Sequence, residues 1–252
     1  MPALSAYAAT LDYAYAPGIF PTVECLRHRP GAVRRVLVHS KAEGHEGLAL
    51  ILSLAAQHHI RVETADRALA RISGKENCFA AAVFSKFDDP LSDTAPHVEL
   101  HHPSDAGNVG TILRTALGFG LEDIALITPC VDLFDPRTVR ASMGSLFSLR
   151  VQRFADFDQY RTAHPAHALY PFMLDGSASL PSVLEQPLPP RWSLIFGNEG
   201  SGLPPAFAQL GQPVRIPSND RIDSLNLSVA AAIGIWGFAQ HSGLTASEVC
   251  HE

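Results

Sequence analysis

The chain has 252 residues, 46% of them hydrophobic and 17% charged. That is enough apolar material for one large domain or two small ones, and it argues against wholesale disorder. The net charge of −6 excludes a uniformly basic nucleic-acid-binding surface.

No apolar run reaches the roughly 18 residues of a membrane span, so no membrane partner is expected. The opening stretch "MPALSAYAATLDYAYAPGIF" lacks a basic start and a continuous apolar run, so no signal peptide is expected and the chain is read as cytoplasmic. Cys25, Cys78, Cys130 and Cys250 stand far apart with no CxxC pair. That spacing predicts reduced thiols and no structural zinc site.

Charge is unevenly distributed. Residues 1–90 hold 10 Lys and Arg against 9 Asp and Glu, and the remainder holds 9 against 16. "RHRPGAVRR" gathers Arg27, Arg29, Arg34 and Arg35, as either a phosphate-contacting patch or a solvated surface segment.

In chain order, the first part predicts a small α/β unit over residues 1–90. A strand is expected around Val36–Val38. "HEGLALILSLAAQHHI" has helical spacing at Leu48, Ile51, Leu52 and Ala55. "RVETA" reads as a strand, "ADRALARIS" as a short helix and "CFAAAVF" as an apolar strand. "SKFDDPLSDTAP", rich in Asp and Pro, reads as a linker. From residue 91 onward strands alternate with helices. Strands are expected at Val98–His102, Ile124–Thr128, Val151–Phe154, Leu169–Leu174, Ser193–Phe196 and Val214–Pro217. Helices are expected at Thr111–Leu117, Pro136–Met143, Phe157–Thr162, Pro204–Leu210 and Leu225–Gln240. This alternation predicts an α/β fold with a mainly parallel sheet, whose ligands bind beyond the carboxyl ends of the strands. The last helix, "LNLSVAAAIGIWGFAQ", is apolar nearly all round, so it packs on more than one side, against its own sheet and a neighbour or a second copy of the chain.

Three loops after predicted strands are rich in Gly, Asn, Ser and Asp. In "PSDAGNVGTILR", Gly110 permits close backbone approach, Asn108 offers an amide, and Arg114 lies about a turn into the helix with a fork suited to phosphate or carboxylate. An Arg–Asp tie within the fold is the bland alternative. "GNEGSGLP" is neither a dinucleotide fingerprint nor a phosphate-binding loop, because its glycines fall at 197, 200 and 202 and no GK[ST] follows. A glycine-rich nucleotide loop of another kind is one reading; a buried Glu199 capping neighbouring N–H groups is the structural alternative. In "IPSNDRIDSLNLSVA", Ser224 is expected to cap the last helix, with Asp223 beside it; Asn226 falls in the first turn.

Taken in order, these loops resemble the SpoU-type (TrmH-type) 2′-O-ribose RNA methyltransferases of the SPOUT superfamily. Asn108, Gly110 and Arg114 match the first motif. Gly197, Glu199, Gly202 and Leu203 match the second, and Ile216, Pro217, Ser224, Leu225 and Asn226 the third. The resemblance covers about Pro96 to the end. Ser218 and Asp220 depart from the Met and Gly usual in the family's third loop.

The resemblance implies a C-terminal SPOUT domain over 91–252, ending in a trefoil knot. The first part resembles the L30e-like RNA substrate-binding domain by element order. The implied cofactor is S-adenosylmethionine, contacted by Gly197, Ile216, Leu225, Leu174 and Gly202. The implied reaction is methyl transfer to a ribose 2′-OH of tRNA or rRNA, with Arg114, Asn108, Glu199, Ser224 and Asn226 at the reacting centre, in a homodimer. A module of the same fold that binds RNA or cofactor without methyl transfer is the alternative. Adjacent strand residues point to opposite faces, so His101 with His102, and His58 with His59, are not expected to ligate a metal; no metal site is predicted.

Overall fold

A computed structural model describes residues 4–73, 78–219 and 221–244. Asp220 and Cys250, both singled out above, lie outside the described residues. Two compact units emerge: Met1–Phe87 with Asp132–Ser148, and Asp88–Val131 with Leu149–Glu252.

In the first unit β1 (Tyr13–Pro17) leads into α1 (Ile19–His28). There follow β2 (Val33–Val38), α2 (Glu46–Gln57), β3 (Val62–Thr64), α3 (Asp66–Ser73) and β4 (Ala80–Ser85). The sheet runs β1-β4-β2-β3, with β2 and β3 parallel and the β4 pairings antiparallel. The element β1–α1 was not anticipated: Pro21 inside "IFPTVECLRH" reads as a breaker, yet it sits in the first turn, where its missing N–H has no intrahelical acceptor to lose.

The arginine cluster is largely committed to the unit itself. Arg34 pairs with Asp12 at 2.8 Å, Arg35 with Glu63 at 3.4 Å and Arg27 with Glu24 at 3.1 Å. Arg29 donates to the Phe147 carbonyl and lies over the Phe87 ring. Partners within the unit, rather than phosphate or solvent alone, occupy these side chains.

The second unit opens with β5 (His97–His101), α4 (Ala106–Gly118) and β6 (Asp123–Ile127). The chain then contributes α5 (Pro136–Ala141) to the first unit. It resumes with β7 (Arg150–Phe154), α6 (Phe157–Ala163), β8 (Ala168–Pro171), β9 (Ala178–Ser179), α7 (Leu180–Leu184), β10 (Trp192–Phe196), β11 (Val214–Arg215) and α8 (Leu227–His241). The main sheet has the order β7-β6-β5-β10-β8 and every pairing in it is parallel. β5, β6 and β10 are buried along their whole length, which explains their unbroken apolar runs. Pro204–Leu210, expected as a helix, is a 3-10 turn over Pro205–Gln209.

One face of β5 is polar although buried. His97, Glu99 and His101 alternate along it, with Ala125 and Ile195 opposite Glu99 on the flanking strands. Glu99 is fully buried, and neither carboxylate oxygen has a hydrogen-bond partner among the described residues. Burial raises its pKa well above the ordinary value, so the carboxyl is held towards its neutral form.

Candidate active site

The carboxyl ends of β8 and β10, together with β11, open onto a cleft of about 590 Å³, a volume within the usual range for small-molecule sites. It is lined by Phe172–Asp175, Phe196–Leu203 and much of 214–230. Of the residues singled out from sequence, Leu174, Gly197, Glu199, Gly202, Ile216, Ser224 and Leu225 line this cleft. Leu174 is 69% exposed, an apolar side chain left to solvent at the cleft. Ser218, the departure from the family pattern, lines it too.

Backbone crowding shapes one wall. A Cβ on Gly197 would lie 2.3 Å from the Gly202 carbonyl carbon and 2.4 Å from the Leu203 nitrogen. The Asn198 N–H donates to the Gly202 carbonyl at 3.2 Å, and the Gly202 N–H returns to Asn198 at 2.9 Å. Gly202 takes a positive φ of 65° to close this turn, a conformation glycine adopts without strain.

Glu199 ties this turn to the start of α4. Its carboxylate accepts from the Ser104 N–H at 3.0 Å, the Ser104 hydroxyl at 2.7 Å, the Asp105 N–H at 3.0 Å and the Asn108 side-chain amide at 3.2 Å. Burial opposes ionisation, but these donors outweigh it and hold the carboxyl at about 2. Asn198 adds a bond from its side-chain amide to the His102 carbonyl at 2.9 Å.

α4 begins earlier than the sequence suggests. Asp105 caps it by accepting from the Asn108 N–H at 2.7 Å. Asn108 and Gly110 therefore lie in its first turns rather than in a loop, and Gly110 is buried. Arg114 is exposed one turn further along, with no hydrogen bond or ion pair to any described residue. No Arg–Asp tie joins Arg114 to a described aspartate.

The last helix also differs in detail. Its cap is Asn226, which accepts from the Ser228 N–H at 2.9 Å and the Ser228 hydroxyl at 2.7 Å. Ser224, expected as the cap, is instead an exposed residue of the cleft wall. Asn108, Arg114 and Asn226 do not line the cleft itself.

The histidine pair at the end of β5 corrects another expectation. His102 leaves the strand with φ 54°, and its ring comes within 4.1 Å of the His101 ring. The two do not face opposite sides of the sheet. Sequence reasoning also passed over Ser104 and Asn198, which brace Glu199 and the turn. The only signal for either was its position beside a motif residue.

The SpoU rRNA Methylase family model matches residues 95–236, more than half of the chain. The chain belongs to this family. It is 30% identical over 181 residues to an uncharacterized tRNA/rRNA methyltransferase of Synechocystis sp., covering 67% of this chain and 63% of that protein. The chain thus spans less than two thirds of that relative's length. It is 27% identical over 210 residues to the 23S rRNA (guanosine(2553)-2'-O)-methyltransferase RlmP of Bacillus subtilis, covering 82% of this chain and 81% of that one. Among solved structures, an AdoMet-bound rRNA methyltransferase from Sinorhizobium meliloti superposes with a TM-score of 0.77 at 25% identity, over 91% of this chain and 88% of the other.

Proposed function

We propose that this protein transfers a methyl group from S-adenosylmethionine to a ribose 2′-OH of tRNA or rRNA. The observation that carries the reading is the Glu199 brace, which joins the first and second motifs beside a cleft walled by glycine backbone. The cleft suits the cofactor on structural grounds: Gly197 leaves no room for a side chain, and apolar Leu174, Ile216 and Leu225 line the wall. Those residues, with Gly202, would hold S-adenosylmethionine. When bound, the cofactor supplies an electrophilic methyl group.

The protein's own part is positioning. Arg114 offers five N–H donors and no acceptor, so it orients an RNA phosphate rather than taking the hydroxyl proton. Asn108 and Glu199 hold the start of the helix that carries Arg114, Ser224 lines the cleft, and Asn226 caps α8 beside it. Such positioning is worth several kcal/mol, and a displacement of about 1 Å costs on the order of 10²-fold.

Further features fit this reading. Gly176 and Gly211 pack backbone against backbone, their added Cβ atoms falling 2.6 Å from Val214 and 2.2 Å from Leu169; such close crossings favour the trefoil knot. Val229 and Trp236, 46% and 54% exposed on α8, supply an apolar stripe for a homodimer. The first unit, closer to charge balance than the rest, would select the RNA by shape. Cys25, Cys78 and Cys130 are free thiols, as suits a reducing cytoplasm. No described helix is long and apolar enough to cross a membrane.

The test is methyl transfer from radiolabelled S-adenosylmethionine to total RNA, followed by digestion to nucleosides. Label in 2′-O-methyl nucleosides is the expected result. Cofactor binding with no label in any RNA would favour a binding module instead.

A further inference from the structure

At the amino edge of the parallel sheet, three histidines from separate elements converge. His97 opens β5, His164 caps the end of α6, and His167 immediately precedes β8. Their relative exposures are 0%, 7% and 8%. The His97 ring lies 4.1 Å from that of His167 and 4.7 Å from that of His164. One ring nitrogen from each can be chosen so that all three lie within 4.8 Å of one another.

The surrounding hydrogen bonds fix which nitrogens are available. His97 Nε2 lies 2.7 Å from the Ser92 carbonyl, which only accepts, so Nε2 carries the hydrogen. His97 Nδ1 therefore has a lone pair, met by the Tyr160 hydroxyl at 3.0 Å. Tyr160 is in turn 2.6 Å from the Ser193 hydroxyl, and Ser193 Oγ is 2.9 Å from His167 Nδ1. With the Tyr160 proton committed to His97, Ser193 donates to Tyr160 and accepts from His167 Nδ1–H. That leaves His167 Nε2 a bare lone pair, buried and without a hydrogen-bond partner among the described residues. Both nitrogens of His164 are likewise buried, and neither makes a hydrogen bond to a described residue. The Asp93 carboxylate stands 3.2 Å from His164 Nδ1, with 81% of its side chain exposed.

Orphaned buried nitrogens are costly, and His167 Nε2 and the His164 ring present them beside the lone pair of His97 Nδ1. We propose that His97, His164 and His167 form a binding site for a divalent transition metal of the zinc class, with Asp93 as the solvent-facing fourth ligand. His97 binds through Nδ1 and His167 through Nε2. Each then keeps its other N–H on an oxygen, Ser92 and Ser193 respectively, the arrangement that orients metal-ligating imidazoles. Binding at His97 Nδ1 displaces the Tyr160 hydrogen, so one hydroxyl hydrogen of the Tyr160–Ser193 pair loses its acceptor, a cost the metal bonds must outweigh.

A point central to three atoms no more than 4.8 Å apart lies at most about 2.8 Å from each. Zinc–nitrogen bonds are roughly 2.0–2.1 Å, so each ligand moves inward by at most about 0.8 Å. His164 and His167 lie outside regular helix and strand, where such a shift disturbs little. The site is at the end of the strands opposite the cleft. It therefore acts as a clamp joining β5, α6 and β8 rather than as part of the reacting centre.

The experiment uses the full chain with no affinity tag, stripped with chelator and titrated with cobalt(II) chloride. The expected result is one equivalent bound per chain, with the visible absorption of tetrahedral cobalt, lost on adding zinc. His164→Gln and His167→Gln should each abolish the stoichiometric band. Ser193→Ala, which leaves all the ligands in place, should weaken binding about 10–100-fold. Should the histidine variants fail to fold, the wild-type chain still decides, because zinc chloride should raise its melting temperature. Absence of both the band and the shift would overturn the site. So would equal binding by wild type and His167→Gln, since the ion would then be at an exposed histidine such as His59.

Discussion

Gly197→Ala tests whether the cleft wall depends on backbone packed against backbone. The new Cβ would meet the Gly202 carbonyl carbon at 2.3 Å, its oxygen at 2.5 Å and the Leu203 nitrogen at 2.4 Å. Ordinary van der Waals contact begins near 3.4 Å, so residues 202–203 must retreat by about 1 Å. None of the three obstacles is a flexible side chain, and the Asn198–Gly202 hydrogen bonds oppose the retreat. Overpacking of this kind costs about 1–3 kcal/mol, or roughly 2–12 °C in melting temperature for a chain of this size. A 1 Å displacement in a ligand wall also costs on the order of 10²-fold in function. Gly200→Ala is the internal control: its Cβ would be 3.6 Å from Asn198 Oδ1, so its stability should stay within about 0.5 kcal/mol of wild type. Thermal unfolding and titration calorimetry with S-adenosylmethionine read both quantities. Unchanged cofactor affinity in Gly197→Ala would refute the reasoning.

Three other variants follow from the structure. Glu199 titrates at about 2 when folded, against an ordinary 4.5. A lowered carboxylate pKa stabilises the fold above 4.5, and that contribution disappears as pH falls from 4.5 to 2. Glu199→Gln should therefore be less stable than wild type at neutral pH and converge with it in acid; parallel denaturation curves across that window would contradict this. Glu99 has the opposite sign: its raised pKa favours the fold in acid and penalises it as pH rises above 4.5. Glu99→Gln should gain on wild type by up to about 1.4 kcal/mol per pH unit between 4.5 and the folded pKa, read by urea unfolding at pH 5.5 and 7.5. Trp236→Asp should convert a dimer to a monomer by light scattering; an unchanged mass would remove α8 from the interface.

Much of the second unit was legible because its central strands are buried on both faces. Apolar runs such as "DIALI" and "WSLIF" have few other readings. Boundaries were less legible where capping decides them. "SDAGNVG" reads as a loop because of its two glycines, yet Asp105 caps a helix running straight through them. Ser224 and Asn226 are both good caps by type, and only the path of the chain selects Asn226. The return of Asp132–Ser148 to the first unit leaves no local signature, since periodicity shows that a helix is amphipathic but not what it packs on. The histidine cluster was missed for the same reason. His164 and His167 are three apart, but the partner that gives them meaning is His97, on a strand far away in sequence. The motif residues did converge on one cleft, except for Pro217, those carried by α4 and the cap of α8.

The central claim is that Arg114 positions RNA for methyl transfer and takes no part in holding the cofactor. The most direct measurement is Arg114→Ala assayed twice, for transfer to RNA and for S-adenosylmethionine affinity. Arg114 is exposed and has no partner among the described residues, so its loss should leave folding and cofactor affinity unchanged while transfer falls by at least about 10²-fold. Transfer at the wild-type rate would contradict the account.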